Sequence, residues 1–464
     1  MSFNFILPHL PAQQKRGACS VWIGYNTKQI DAMTSKQHKK KQNSTKSNDK
    51  PSTEANLKSV STHDGNIQMT FSNGNTFSMP ILSVPLETIV DTDQNTRTFC
   101  KSFNVETSTD EEIQNFFDTF GFIVFDSVLT QEESEQTVSD IFTILETGTN
   151  GQFDRNDVKT WHNWPLNALE HFGNVSIPSI FSRQFLMNRQ NPSVVKAFSR
   201  VFKLDESELI ISHDRASFYR PPSLNPRWKT KTNVHLDLNP AEALDEPSNA
   251  TTSYNELNRL HYAGGKGHWI TENNHVCTKR DGLQVQGLIN LADNESQDGG
   301  FICVPGFHKY FADFFEGSGL ILELGRGRPS FTFDARDNTI TKPIASLAQR
   351  IPSKRGSIII WNQMLPHGSM YIDANKSYAP YRSAMYLRMF PREMLLREGS
   401  AHRRKNRRDA LRKKIHHLYI GEKKPLELTP LGRLVFDIDN GDDVFDPIPP
   451  FASYLDKSES IEEQ

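Results

Sequence analysis

From about residue 205 the chain breaks into short apolar runs separated by turn-forming residues: LIISHDRASFY, TNVHLDL, LQVQGLINLA, GFICVPG, GSIIIWN and RSAMYLRMF. Runs of this length, rich in Ile, Val, Phe and Tyr and bounded by Gly, Pro, Asn and Asp, read as β-strands. Strands at this spacing, with helical patterns gathered on their N-terminal side, predict a mostly β fold with a helical buttress, a barrel or sandwich, and exclude a βαβ parallel sheet. No internal repeat is visible. GGKGHW at 264–269 has glycines but neither the following helix nor the Lys-Ser/Thr ending of a phosphate loop.

The segment ahead of the strands carries the helices. STDEEIQNFFDTFG offers Ser108 or Thr109 as N-cap and three acids in the first turn, with Ile113, Phe116, Phe117 and Phe120 at helical spacing before Gly121. FIVFDSVL then reads as a buried strand and TQEESEQTVSDIFTILE as a second amphipathic helix. Earlier still, NIQMTF and TFSMPIL flank SNGN, a hairpin signal because Asn-Gly supplies the positive φ angles of a tight turn. Residues 34–60 hold almost no large apolar side chains and read as a disordered linker. The expected organisation is a largely disordered region at 1–60, a hairpin extension at 61–105, the β domain with its N-terminal helices at 106–395, and a basic helix and tail at 396–464.

Charge sharpens that division. The chain has 53 Lys plus Arg against 55 Asp plus Glu, but residues 36–58 hold seven Lys against two acids and residues 392–414 ten basic residues against three acids. Without those blocks the rest is 36 against 50, a net of -14, so a formal charge of -2 describes no surface of the molecule. No stretch reaches the roughly 18 apolar residues of a spanning helix, and FILPHLP is too short and proline-broken for a signal peptide. The expectation is a soluble cytoplasmic protein, or a nuclear one if the basic blocks act in localisation. Cys19, Cys100, Cys277 and Cys303 lie far apart with no CxxC pair, which encodes neither a zinc site nor a disulfide framework.

Chemistry concentrates in three places. His235 and Asp237 sit two apart in TNVHLDLNP, so on a strand they share a face where an imidazole and a carboxylate can grip one ion. His367 follows the strand GSIIIW through NQMLP, and Arg382 opens RSAMYLRMF. Two His and one carboxylate on one face of Fe(II) leave room for a bidentate 2-oxo acid and dioxygen. A buried Arg suits the far carboxylate of such an acid.

In these segments the sequence resembles the phytanoyl-CoA dioxygenase family of Fe(II)- and 2-oxoglutarate-dependent oxygenases. EEIQNFFDTFGFIVFDSVLTQEES is similar to the family's N-terminal signature and VHLD supplies its H-x-D. INLADNESQDGGFICVPGFHK resembles the strand, acidic turn and Pro-Gly-x-His hairpin, and PHGSMYIDANKSYAPYRSAMYL the distal His-Gly-Ser and cosubstrate arginine. These elements are collinear over about residues 108–392. The resemblance implies a double-stranded β-helix (jelly-roll, cupin-like) barrel and an enzyme that hydroxylates a small-molecule or lipid substrate while 2-oxoglutarate and O2 yield succinate and CO2. It implies His235, Asp237 and His367 as iron ligands, Arg382 as holder of 2-oxoglutarate and Ser369 as its helper. Asp at 237, where halogenating relatives carry a small residue, implies hydroxylation. Two departures stand out: Gly356-Ser357 replaces the usual Gly-Asp, and the His-to-Arg interval of 15 residues leaves Arg388 as the alternative to Arg382.

Other residues are drawn in more loosely. Along LQVQGLINLA, Gln286 or Asn290 is placed to contact cosubstrate if the polar face turns inward, and Asp214, Ser217 or Tyr219 of SHDRASFYRPP can reach the same pocket. His261, His268 and His275 fall in a glycine- and asparagine-rich loop that suits a lid over substrate, and His308 belongs to a hairpin turn. The stretch at 397–414 looks helical in its second half, with Leu411, Ile415 and Leu418 on one face, and is suited to an anionic partner. It lacks the interleaved aromatics of single-strand binders, so nucleic acid is the least favoured partner. A protein or nucleic-acid hydroxylase or demethylase, and a non-catalytic binding barrel, are the rival readings.

Overall fold

A computed structural model describes residues 56–90, 94–166, 168–176, 180–244, 261–262, 269–270, 284–323, 330–333, 339–373, 381–392 and 428–438. The basic stretch 397–414, most of the linker, the side chains of His261, His268 and His275, and Cys19 and Cys277 lie outside them.

The helices form where the sequence places them. Helix α1 (Asp110–Phe120) is capped by Thr109, whose hydroxyl accepts from the Glu112 amide while the Glu112 carboxylate takes the Thr109 amide. The helix ends at Gly121, which sits at φ 75°, a left-handed conformation that favours glycine. Helix α2 (Gln131–Gly148) repeats the capping box with Thr130 and Glu133. Helices α3 (Arg183–Arg189) and α4 (Pro192–Phe202) follow, then α5 (Phe311–Ser318) and α6 (Pro430–Phe436), so helices are not confined to the N-terminal side.

Ten strands make two five-stranded antiparallel sheets. In chain order they are β1 (Phe122–Phe125), β2 (Ala216–Tyr219), β3 (Asn233–Leu236), β4 (Val285–Asn290), β5 (Gly300–Cys303), β6 (Phe331–Thr332), β7 (Gln349–Arg350), β8 (Ile358–Asn362), β9 (His367–Met370) and β10 (Arg382–Leu387). One sheet runs β1-β8-β4-β10-β2 and the other β6-β3-β9-β5-β7. From β3 to β5 and from β7 to β10 the chain changes sheet at every step. Residues paired directly opposite share a face, so the register fixes one wall of the interior. Gln286 lies opposite Trp361, Leu288 opposite Tyr386 and Ile359, and Arg382 opposite Tyr219. The other face of this sheet takes the helices: Phe198 of α4 lies against Gly287, and Asn188 of α3 donates to the Met385 sulfur at 3.6 Å.

The predicted hairpin is present as Asn66–Phe71 paired with Thr76–Pro80. A third strand, Leu57–His63, joins it and claims the end of the expected disordered linker. Its side chains are almost all exposed, so it is held by the backbone ladder, a stabilisation that a search for apolar burial passes over. Burial raises the thiols of Cys100 and Cys303, which are buried and unpaired with each other. Among the described residues no helix is long and apolar enough to cross a membrane.

Candidate metal and anion site

A cavity of about 470 Å³ opens between the two sheets, its wall including His235, Asp237, Gln286, Trp361, His367 and Ser369. His235 sits near the end of β3 and His367 opens β9, directly opposite it, with ring centroids 4.7 Å apart. Gly368 permits this pairing. A Cβ there would fall on the carbonyl of Asn233, so the strands can approach only at a residue without one. Asp237 follows one residue past the end of β3, in a bend. Its Oδ1 is 3.5 Å from Nε2 of His235 and its Oδ2 3.6 Å from Nε2 of His367. One ligand atom from each of the three residues falls within 4.8 Å of the others.

The electrostatics favour donors ready for a cation. Burial works against ionisation of Asp237, but His235 first and then His367 outweigh it and hold the carboxyl well below the ordinary carboxylate range. Burial lowers His367, more than Asp237 restores, so its imidazole is neutral at pH 7. Its Nδ1 lies 2.9 Å from the Leu365 carbonyl, an arrangement that puts the proton on Nδ1 and leaves the Nε2 lone pair facing Asp237. Phe301 and Trp361 pack beside the ring, with centroids 6.1 and 5.1 Å from it.

Arg382 is 1% exposed, and none of its three guanidinium nitrogens has a hydrogen-bond partner among the described residues. Its charge lies over the Tyr219 ring at 4.5 Å. The Tyr219 hydroxyl is 3.1 Å from the Ser369 hydroxyl and 3.2 Å from that of Tyr386. Arg388, one residue past β10, lines the cavity but is engaged, its Nη2 donating to Oε1 of Gln363 at 3.0 Å. The Arg pair therefore separates into one guanidinium tied to Gln363 and one with no hydrogen-bond acceptor among the described residues.

The looser candidates divide. Gln286 donates to Asp237 Oδ2 at 2.8 Å, and Tyr219 joins the hydroxyl chain. Asp214 lines the cavity while accepting from the amide of Arg215. Asn290 is drawn to Ser353, away from the cavity. His308 packs against Gly121, on a short 3-10 turn (Phe307–Tyr310) that leads into α5 where a hairpin turn was expected. Sequence reasoning passed over Gln363, Trp361 and Tyr386. Tyr386 was within reach of it, because it stands four residues after Arg382 on a strand and so shares its face. Gln363 carried no such signal, since its turn conformation is set by tertiary packing.

No protein-family model matches the chain. A Dictyostelium discoideum protein named "Putative phytanoyl-CoA dioxygenase" is 42% identical over 279 residues, which make up 60% of this chain and 74% of that protein. Among solved structures, a hypothetical protein of Escherichia coli is 14% identical with a TM-score of 0.48, over 72% of this chain and 82% of that one. A non-heme alpha ketoglutarate dependent carbocyclase of nogalamycin biosynthesis is 13% identical with a TM-score of 0.34, over 62% of this chain and 87% of that one.

Proposed function

The chain belongs to the phytanoyl-CoA dioxygenase family, and from that premise we propose that it is an Fe(II)- and 2-oxoglutarate-dependent dioxygenase that hydroxylates a small-molecule or lipid substrate. In this reading the two five-stranded sheets form a double-stranded β-helix around the site. The observation that carries it is the convergence of His235, Asp237 and His367, with ligand atoms within 4.8 Å of one another on the cavity wall. Two imidazoles and one carboxylate suit ferrous ion and leave coordination positions free.

Arg382 supports the second half. A buried cation with no compensating anion among the described residues is costly, by several kcal/mol, and a dicarboxylate such as 2-oxoglutarate supplies that charge at a place where three hydroxyls already gather. Arg382 is the receiver of the far carboxylate, with Ser369 and Tyr219 as neighbours, while Arg388 is occupied by Gln363. Bound iron with 2-oxoglutarate and dioxygen supplies the oxidising chemistry, and succinate and CO2 are released. The chain's own part is to hold the imidazoles at fixed geometry, to anchor the cosubstrate at one end, and to shield the His367 ring behind Phe301 and Trp361. Asp237 fills the carboxylate position, which favours hydroxylation. The cavity, about 470 Å³, is in the range that holds a small organic ligand.

The test is succinate release from the purified protein with Fe(II) and 2-oxoglutarate across a panel of metabolites and lipids, beside His367→Ala. Release that depends on His367 is the expected result. Equal release from the variant overturns the ligand assignment.

A further inference from the structure

We propose that Asp237 is held in its ligating orientation by a two-glutamine clamp, in which Gln286 is a positioning residue for its carboxylate and Gln363 for its main chain; the inference rests on the iron-site reading above. Asp237 needs such support. It lies beyond β3 in a bend, where no strand ladder fixes its backbone, and its side chain is 46% exposed to the cavity. A carboxylate so placed has several rotamers open to it, and only some direct an oxygen to the point between the two imidazoles.

Gln286 reaches it from β4, in the opposite sheet, donating Nε2 to Oδ2 at 2.8 Å. Its own Oε1 has no partner among the described residues. The amide orientation is therefore chosen by Asp237 alone, since turning it over would set a carbonyl oxygen against a carboxylate. With Oδ2 occupied, Oδ1 is the oxygen left toward His235, 3.5 Å from its Nε2. Gln363 takes the other end. It is fully buried, donates Nε2 to the Asp237 carbonyl at 2.8 Å, and accepts from Arg388 at 3.0 Å. Because Gln363 stands four residues before His367, it ties the segment that delivers one imidazole to the residue that supplies the carboxylate. Both hydrogen bonds join the β8–β4–β10 side of the molecule to the β3 side, so the clamp also spans the cavity between the sheets.

Partners of ligating residues orient them, and their loss commonly weakens metal affinity 10- to 100-fold. The experiment titrates full-length protein with Co(II) under anaerobic conditions, reading both affinity and the visible absorption of the bound ion. Wild type, Gln286→Leu and His367→Ala are compared, with melting of the metal-free proteins alongside. Gln286→Leu is expected to bind Co(II) about 10- to 100-fold more weakly, with an altered band pattern and an unchanged metal-free melting temperature. Wild-type affinity and spectrum in Gln286→Leu overturn the clamp while leaving the iron site standing. Equal Co(II) binding by wild type and His367→Ala overturns the iron site itself, and the clamp with it. If Gln286→Leu does not fold, Gln286→Met, which keeps the length of the side chain without the amide, is judged by the same outcomes.

Discussion

His235 and His367 are paired directly across neighbouring strands, and the Nε2 atom of each lies within 3.6 Å of the same carboxylate, that of Asp237. Strand register is thus the device that brings together residues 132 positions apart in the sequence. A slip of one residue between the two strands would turn one imidazole away from the other and out of the cavity. Gly368 guards that register, because the Asn233 carbonyl fills the space a Cβ would need. Gly368→Ala is expected to destabilise the fold by ~1–3 kcal/mol, as overpacking does, and to weaken metal binding together with stability. Urea unfolding and a metal titration on the same sample check it, and wild-type values in both would refute the role given to Gly368.

The legible part of this molecule was what periodicity and local chemistry encode. Thr109 and Thr130 announce their helices through Glu three residues on, and both capping boxes form. His235 and Arg382 lie on strands that apolar runs announce, and Asp237 and His367 stand at or just past strand ends beside such runs. What stayed hidden depends on neighbours distant in sequence. Leu57–Val60, the first part of the strand Leu57–His63, looks disordered by composition because its stability comes from backbone pairing with Asn66–Phe71. Gln286 reads as a cosubstrate contact when only its own strand is considered; that its amide meets Asp237 requires the opposite sheet. The choice between Arg382 and Arg388 is equally tertiary: one opens β10 and the other stands just past its end, and Gln363, 25 residues from Arg388, distinguishes them.

Arg382 gives a prediction in which stability and function move in opposite directions. Removing a buried cation that has no hydrogen-bond partner among the described residues relieves desolvation, so Arg382→Met is expected to leave the cosubstrate-free protein as stable as wild type or more stable by ~1–4 kcal/mol. The same change should raise the KM for 2-oxoglutarate by roughly 30-fold or more, the effect of truncating one side of a buried charge pair. Arg388→Met should shift that KM far less. Thermal melting without cosubstrate, combined with succinate kinetics, separates the two arginines; a loss of stability in Arg382→Met would mean that its guanidinium is satisfied within the protein.

Metal binding should be visible as stability. A ligand that binds only the folded state adds about 2.7 kcal/mol at a hundred times its dissociation constant. Anaerobic Fe(II), or Mn(II) as a redox-inert substitute, is expected to raise the melting temperature of wild type by several degrees and to leave His367→Ala unmoved. A chelator should reverse the rise. The same shift in both proteins would place the metal somewhere other than this site.

His308 sets an acid limit on the fold. Burial against Gly121 pushes its imidazole down to about 4, Lys309 adding to the effect and Asp118 opposing it. In the unfolded chain the same group titrates near 6.5. The folded protein therefore refuses a proton that the unfolded chain accepts, so this contribution to stability is complete above pH 6.5, falls as the pH drops, and levels off below about 4. Across that window the loss is ~3 kcal/mol, of which ~2 kcal/mol is reached by pH 5. Carboxylates and the other histidines titrate in both wild type and His308→Gln, so the comparison isolates this one group. Urea unfolding at pH 7 and pH 5 is expected to show a smaller drop in His308→Gln than in wild type, and parallel drops in the two proteins would remove His308 as the cause.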